Sequence, residues 1–141
     1  MKEIILHIGH GKTGSSFLQS CLALNREKLL DLGIDYPEDK SFEEAKKGFI
    51  TSGNGLLFYE NYSNIDSLSE QNTILFSSES FYPNLIDKNW FTQFAHYRKN
   101  KLKVILYGRN LFSHIFSSWG QTVKRDGYTA NINEYLINNC G

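Results

Sequence analysis

The stretch EIILHIGHGKTGSSFL, residues 3–18, decides the fold class of this chain. Its first part is a short continuous apolar run, typical of a strand that is buried on both faces of a parallel sheet. Three glycines, Gly9, Gly11 and Gly14, follow within six residues, and a helix that begins with hydroxyl side chains comes next. A glycine-rich turn and a helix N-terminus both present backbone N–H groups, so the stretch predicts an anion site to which Lys12 adds a full charge.

Further apolar runs predict the rest of the sheet. Residues 73–76 (TILF) and 103–107 (KVILY) are predicted strands, and residues 34–37 (IDYP) form either a very short strand or an extended turn. The first helix is predicted over residues 15–32, with Gly33 placed to end it. Strands that alternate with helices indicate an α/β fold with a largely parallel β-sheet flanked by helices.

Four more helices are predicted from composition and periodicity. They are a charged surface helix within residues 38–47, a helix over residues 90–99, an amphipathic helix after residues 108–110, and a last helix over residues 132–139. Residues 48–64 show no pattern that assigns them. The amphipathic helix carries a wide apolar stripe that we expect to be buried, made of Leu111, Phe112, Ile115, Phe116, Trp119 and Val123.

Composition narrows the class of protein. A chain of 141 residues with 40% hydrophobic content is expected to form a single domain over residues 1–141. Fifteen basic residues balance fifteen acidic ones, which argues against nucleic acid or an anionic membrane surface as a partner. Cys21 and Cys140 lack metal-ligand spacing, and Cys21 is expected to be a buried free thiol. Strand residues begin directly after Met1 and no apolar run reaches membrane-spanning length, so we expect a cytoplasmic protein without a membrane segment, its oligomeric state left open.

Two common phosphate motifs match the loop only in part. Gly9, Gly11 and Gly14 satisfy the G-x-G-x-x-G of dinucleotide-binding Rossmann folds, but such a fold needs a clear second strand that ends in an acidic residue. The candidate acid, Asp35, stands in a four-residue fragment. The nucleoside triphosphate motif needs a lysine directly after its last glycine, where this chain has Ser15. The dinucleotide interpretation therefore stays an alternative, and metal-assisted phosphoryl transfer has little support.

The loop as it stands, LHIGHGKTGSSFLQ, resembles the 5′-phosphosulfate loop of the sulfotransferases that use 3′-phosphoadenosine 5′-phosphosulfate (PAPS), in particular their bacterial branch. The resemblance implies a P-loop NTPase-like three-layer sandwich and PAPS as co-substrate, with no metal. It also implies that Lys12 is catalytic, because its cation would stabilise charge on the bridging oxygen. The donor-binding residues of the loop would be Gly11, Lys12, Thr13, Gly14, Ser15 and Ser16.

A second motif, YGRNLFSHIFSSW, resembles the 3′-phosphate motif of the same family, in which an arginine just after a strand is followed eight residues later by a serine. Arg109 and Ser117 occupy these two places. An arginine guanidinium binds a phosphate in bidentate fashion. Because eight helical residues span about 12 Å along the axis, the arginine side chain would have to reach back over the helix.

Sulfuryl transfer also needs a base that takes the proton of the acceptor hydroxyl. The segment ILFSSESF resembles the strand-plus-glutamate that supplies this base in glycan-type sulfotransferases, which makes Glu79 the first candidate for a catalytic base. Histidine is the base in another branch, so His10 ranks second, whereas His96 and His114 are expected to be structural. The resemblance therefore implies transfer of a sulfuryl group to a hydroxyl acceptor, a carbohydrate or another alcohol.

Members of this family run well beyond the arginine helix, with a later loop that closes over the 3′-phosphate and much of the acceptor pocket. This chain ends at Gly141, so the resemblance corresponds to the N-terminal portion of the family domain. We therefore expect either a fragment of a longer reading frame or a truncated nucleotide-binding remnant without activity of its own.

Overall fold

The computed structural model of the chain describes residues 2–86 and 101–140. The chain divides into two compact units, one up to Tyr107 and one from Gly108 onward. The predicted helix over residues 90–99, together with His96, lies outside the described residues. The single domain over residues 1–141 stays a prediction.

Within the described residues, the first unit contains a four-stranded parallel sheet with the order β2-β3-β1-β4. The predicted α/β class with a parallel sheet is therefore confirmed, and residues 34–35 form the short strand that was one of two alternatives. The strands predicted at 73–76 and 103–107 are confirmed and are each longer than predicted. The strands are β1 (Glu3–Gly9), β2 (Ile34–Asp35), β3 (Thr73–Ser78) and β4 (Lys101–Tyr107).

Strand β2 is short because a proline follows it. Asp35 pairs with Ile74, so the continued register would place Pro37 opposite Phe76. A residue at that place would donate its N–H to β3, and proline has no N–H to donate. Backbone pairing between β2 and β3 therefore stops, while β3 continues to Ser78.

Helices occupy most of the remaining described residues of the first unit. The single helix predicted over residues 15–32 is wrong, because it breaks at Asn25, where φ is −106° and ψ is 18°. The Asn25 side chain donates to the carbonyl of Cys21 at 2.8 Å, the kind of local bond by which asparagine competes with helical structure. Gly33, at φ +76°, ends the helical segment as predicted. The helices are α1 (Ser15–Leu24), α2 (Arg26–Asp31), α3 (Phe42–Lys46), α4 (Gly55–Asn61), a 3₁₀ helix (Tyr62–Leu68) and α5 (Phe81–Ile86).

Two expectations about burial, one in α3 and one in α1, need correction. The charged helix predicted within residues 38–47 is only five residues long, and it buries Phe42 and Ala45 rather than lying wholly on the surface. Cys21 is a free thiol as expected, but it is half-buried rather than buried, because it does not lie on the inward side of α1. The inward side of α1 is formed by Ser15, Gln19 and Ala23.

Two apolar clusters cover opposite faces of the sheet. Side chains alternate along a strand, so Ile4, Leu6 and Ile8 of β1 face one way and Ile5 faces the other. In the first cluster, these three side chains and Ile74 and Phe76 of β3 pack against three helices. The helical members are Phe58 of α4, Ile65 of the 3₁₀ helix and Phe81 of α5. The second cluster packs Ile5 and Leu75 against α1 and α3 through Ala23, Tyr36, Phe42 and Ala45. Helices therefore flank both faces of the sheet.

The connections that follow β1 and β3 leave toward opposite faces. Strand β1 leads into α1 in the second cluster, whereas β3 leads into α5 in the first cluster. These two strands are neighbours in the sheet. In parallel sheets, ligands bind outside the carboxyl ends of adjacent strands whose connections diverge in this way. The fold therefore directs attention to the loop after Gly9 and the residues after Ser78.

The second unit contains α6 (Leu111–Asp126) and α7 (Ile132–Cys140), which confirms the two helices predicted there. Asn110 caps α6, because its side-chain oxygen accepts from the backbone N–H groups of residues 112 and 113. The expected burial of the α6 stripe is wrong: Leu111 is 66% and Phe112 is 72% exposed, and none of its six residues is buried. A pair of helices has too little surface to enclose so wide a stripe.

Candidate anion-binding site

The loop from Gly9 to Gly14 joins β1 to α1 and contains two left-handed residues. Gly14 has φ +89° and ψ 17° and is the N-cap of α1. Lys12 has φ +68°, which makes it the one non-glycine residue with positive φ among those described. Left-handed backbone costs an L-residue about 1–2 kcal/mol, and such strain concentrates at binding sites. Left-handed residues also turn successive N–H groups toward one side, which is the geometry of an anion site.

Hydroxyl groups hold this loop closed from within. The Thr13 hydroxyl donates to the carbonyl of His10 at 2.6 Å, and the Thr13 backbone N–H donates to the same carbonyl at 3.2 Å. Ser15 is buried, and its hydroxyl lies 3.3 Å from the Thr13 hydroxyl. Both hydroxyls are therefore engaged inside the loop. Their direct contact with an anion stays a prediction, as does that of the half-buried Ser16.

The first turn of α1 supplies backbone donors. The first bond of this helix runs from the N–H of Leu18 to the carbonyl of Gly14 at 3.2 Å. The N–H groups of Ser15, Ser16 and Phe17 precede it and have no acceptor within the helix. Gly14 has no side chain with which to cap them. These three N–H groups and the positive end of the helix dipole therefore suit an anion.

The structure brings Glu79 against this loop. A Cβ atom built on Gly11 would lie 3.9 Å from Oε2 of Glu79. Glu79 directly follows β3, and its carbonyl accepts from the backbone N–H of Tyr82 at 3.1 Å, which starts the turn into α5. A carboxylate and a glycine-rich loop thus meet where the connections of β1 and β3 diverge.

Tyr82 is a residue of the site that the sequence analysis missed. Its ring packs edge-on against the imidazole of His10, with 4.5 Å between ring centroids and an interplanar angle of 82°. Nδ1 of His10 lies 3.1 Å from the carbonyl oxygen of Gly11. The one signal in the sequence was that Tyr82 stands three residues after Glu79, the spacing of one helical turn. The structure therefore joins both base candidates, Glu79 and His10, to the same stretch of loop.

His7, two residues before the loop, was also missed, because it stands within an apolar run. It is 1% exposed, and its Nδ1 lies 2.8 Å from the hydroxyl of Ser77 on β3. Its ring packs edge-on against Tyr107 of β4, at 4.5 Å between centroids. Burial lowers the pKa of His7, so the imidazole is neutral near pH 7. Nε2 has no hydrogen-bond partner among the described residues.

Arg109 and Ser117 belong to the second unit. Arg109 is exposed and stands just before Asn110, the cap of α6. Ser117 is half-buried and lies six residues beyond the first residue of α6, about 9 Å along the helix axis. His114 lies between them on α6 and is half-buried. The joint binding of one ligand by this pair and the loop stays a prediction.

Asp35, the candidate ribose ligand of a dinucleotide fold, is paired with another side chain and lies away from the loop. It is buried, and it forms an ion pair with Arg26 at 3.0 Å. Moreover, β3 stands between β2 and β1, whereas the dinucleotide fold places its second strand beside the first. Asp35 is thus separated from β1 by a whole strand.

Among residues 2–86 and 101–140, no cluster of His, Cys, Asp or Glu side chains is arranged to hold a metal ion. Every helix described there is too short or too polar to cross a membrane. Comparison of the chain with protein-family models, curated proteins and solved structures found no match. Any functional assignment therefore depends on the residues and geometry given above.

Proposed function

We propose that this chain is a PAPS-dependent sulfotransferase with a P-loop NTPase-like fold, which transfers a sulfuryl group to a hydroxyl acceptor, a carbohydrate or another alcohol. The observation that carries the proposal is the carboxylate of Glu79 beside Gly11, in a loop where Lys12 is held at positive φ. A base candidate and an anion site are thus adjacent, as transfer from an anionic donor to an alcohol requires.

The donors of the loop suit a phosphosulfate. The N–H groups at the start of α1 can bind phosphate oxygens, and the ammonium group of Lys12 adds a charge-assisted bond. Negative charge grows on the bridging oxygen as its bond to sulfur breaks, so a cation there lowers the energy of the transition state. Arg109 and Ser117 would hold the 3′-phosphate. The proposal gives a metal no role.

In the proposed reaction, Glu79 accepts the proton of the acceptor hydroxyl while that oxygen forms a bond to sulfur. The bond between sulfur and the bridging oxygen breaks at the same time, and the electron pair leaves with adenosine 3′,5′-bisphosphate. Lys12 stabilises the charge on that leaving oxygen. His10, next to Tyr82, is the second candidate for the base.

The dinucleotide alternative receives no support from the site. Its acidic residue would be Asp35, which is paired with Arg26 and lies on a strand that does not touch β1. The order β2-β3-β1-β4 also differs from the order that dinucleotide folds use.

Calorimetry with adenosine 3′,5′-bisphosphate tests the donor site. We expect Glu79→Gln to bind it at least as tightly as the wild type, because the substitution removes a negative charge beside the loop, and Lys12→Ala to bind it at least tenfold more weakly. Arg109→Ala should weaken binding of the bisphosphate but leave binding of inorganic pyrophosphate unchanged, because only the bisphosphate carries a 3′-phosphate. Absence of bisphosphate binding to the wild type would refute the proposal, and binding of NAD in its place would favour the dinucleotide alternative.

Transfer itself is tested with PAPS and a panel of saccharide and simple alcohol acceptors. Loss of turnover in Glu79→Gln with bisphosphate affinity retained would support Glu79 as the base. Loss in His10→Gln alone would assign that role to His10. Bisphosphate binding without turnover in the wild type would support the nucleotide-binding remnant.

A further inference from the structure

The segment TSGNG, residues 51–55, leads into α4 and packs directly against the carboxyl end of β3; we call it the 51–55 turn. Gly53 has φ +71°, and a Cβ atom there would overlap the carbonyl oxygen of Ser77. A Cβ atom on Gly55 would overlap the side chain of Ser78. Only glycine permits so close an approach of two backbones, so the turn is in backbone contact with the strand that leads to Glu79.

Asn54, at the centre of this turn, takes the place of a missing strand residue. Its side-chain nitrogen donates to the carbonyl of Leu75 at 3.4 Å, and its side-chain oxygen accepts from the N–H of Ser77 at 2.8 Å. Parallel pairing would assign both bonds to the residue opposite Phe76, which is Pro37. The Asn54 amide thus supplies the N–H that proline lacks, and it also donates to the Pro37 carbonyl at 3.1 Å.

The turn also fixes the residues on both sides of Glu79. The Ser78 hydroxyl donates to the carbonyl of Ser52 at 2.8 Å. The same hydroxyl lies 2.8 Å from the Ser80 hydroxyl and accepts from the Ser80 N–H at 3.2 Å. Both neighbours of Glu79 are therefore held through one hydroxyl that is bonded to the turn.

The other end of the turn is bonded to α1, the helix that begins at the anion loop. The Thr51 hydroxyl donates to Oε1 of Gln19 at 3.1 Å. Gln19 is fully buried on the inward side of α1, in line with Ser15 one turn earlier. The 51–55 turn therefore links the helix of the anion site to the strand end that carries Glu79.

We infer that the 51–55 turn sets the position of Glu79 relative to the anion loop, with Asn54 and Ser78 as positioning residues. The inference rests on the proposed function for its catalytic consequence. Since neither residue belongs to the proposed anion-binding set, their loss should displace the base without weakening the donor site. Misplacement of a catalytic group by about 1 Å can lower a rate about 100-fold. We therefore expect loss of either residue to lower kcat and to leave donor affinity unchanged.

Ser78→Ala is the direct test, and Ser67→Ala, at an exposed serine, is the control for loss of a hydroxyl that bonds to the backbone. Each removes a hydroxyl that donates to a backbone carbonyl at 2.8 Å, but the partner of Ser67 is Asn64, within the 3₁₀ helix. We expect Ser78→Ala to lower kcat at least tenfold while the bisphosphate Kd and the KM for PAPS stay within twofold. Ser67→Ala should change none of these. A Ser78→Ala enzyme with unchanged kcat, or with a Kd raised as much as kcat falls, would overturn the inference.

Amide hydrogen exchange separates this inference from the proposed function, because it needs no ligand. Ser78→Ala, and Thr51→Val at the α1 end, should each speed exchange of the amides of residues 79–82 at least tenfold, and Ser67→Ala should not. Unchanged exchange in both variants overturns the positioning role whether or not the chain binds nucleotide. Faster exchange in the two variants, together with no binding of bisphosphate to the wild type, would retain the link and refute only the proposed function.

Discussion

Replacing Lys12 by glycine separates the backbone conformation of this residue from its charge. Lys12 has φ +68°, a conformation that costs an L-residue about 1–2 kcal/mol. Glycine adopts it freely but loses about 0.5–1 kcal/mol more conformational entropy on folding. We therefore expect Lys12→Gly to raise the free energy of unfolding by up to about 1.5 kcal/mol.

The same change should abolish most anion binding. A hydrogen bond to a charged group contributes about 1.5–3 kcal/mol, which corresponds to a loss of roughly 10- to 150-fold in bisphosphate affinity. Lys12→Ala removes the same charge but keeps an L-residue at positive φ. The two variants should thus lose affinity equally, while Lys12→Gly alone becomes more stable than the wild type.

Urea denaturation and calorimetry on the wild type and the two variants provide the comparison. A residue selected for stability alone would not occupy a strained conformation, so stability and affinity should move in opposite directions in Lys12→Gly. If Lys12→Gly is less stable than Lys12→Ala, the backbone at this position is not strained as the structure indicates. If both variants keep full affinity for bisphosphate, Lys12 is not the cation of the site.

Three further predictions concern the scaffold. Gly48→Ala and Gly53→Ala both put an L-residue at positive φ, which costs about 1–2 kcal/mol. In urea denaturation, Gly53→Ala alone should lower the free energy of unfolding by clearly more than this, because its Cβ overlaps β3 whereas the space around Gly48 is open. Burial lowers the pKa of His7, so the unfolded state binds a proton at higher pH than the folded state does. The free energy of unfolding should therefore fall as pH drops below about 6.5, by up to about 1.4 kcal/mol per pH unit. In denaturation of His7→Asn between pH 5 and 7, the free energy of unfolding should depend less steeply on pH, and an unchanged dependence would contradict the assignment. Asp35→Asn should weaken the pair with Arg26 and destabilise the fold by about 1.5–3 kcal/mol without changing bisphosphate affinity, and a parallel loss of affinity would contradict the separation of β2 from the site.

Strands were predictable where apolar residues stand together in the sequence, whether the strand is mostly buried, as β1 and β3 are, or largely exposed, as β4 is. Strands β1, β3 and β4 are apolar runs, and each was found where the run stands. The helices were harder, since an asparagine such as Asn25 is tolerated in some helices and breaks others, according to whether its side chain finds a local carbonyl. The burial of the α6 stripe could not be judged from periodicity, which shows that a face is apolar but not what covers it.

Part of the site was predictable from topology alone. The carboxyl ends of parallel strands meet at one edge of a sheet, and the loop and Glu79 each follow a predicted strand, so their proximity follows from the predicted topology. Tyr82 and His7 were missed. The sequence indicates Tyr82 only by its spacing from Glu79, and its contact with His10 is visible only in the structure, whereas His7 stands within an apolar run. The role of Asn54 depends on Pro37, seventeen residues earlier, and follows only when the register of β2 against β3 is known.

The three glycines of the loop show why spacing alone did not identify the ligand. Gly9 is required by packing, because a Cβ atom there would overlap the hydroxyl of Ser15. Gly14 is required by backbone conformation, at φ +89°. A Cβ atom on Gly11 would be in ordinary contact with the carboxylate of Glu79, so neither packing nor backbone conformation requires glycine there. The match to G-x-G-x-x-G thus arises from two different physical requirements, packing at Gly9 and backbone conformation at Gly14, and neither of them identifies a ligand. Gly11→Ala should therefore be tolerated by the fold, and any effect it has should appear in turnover.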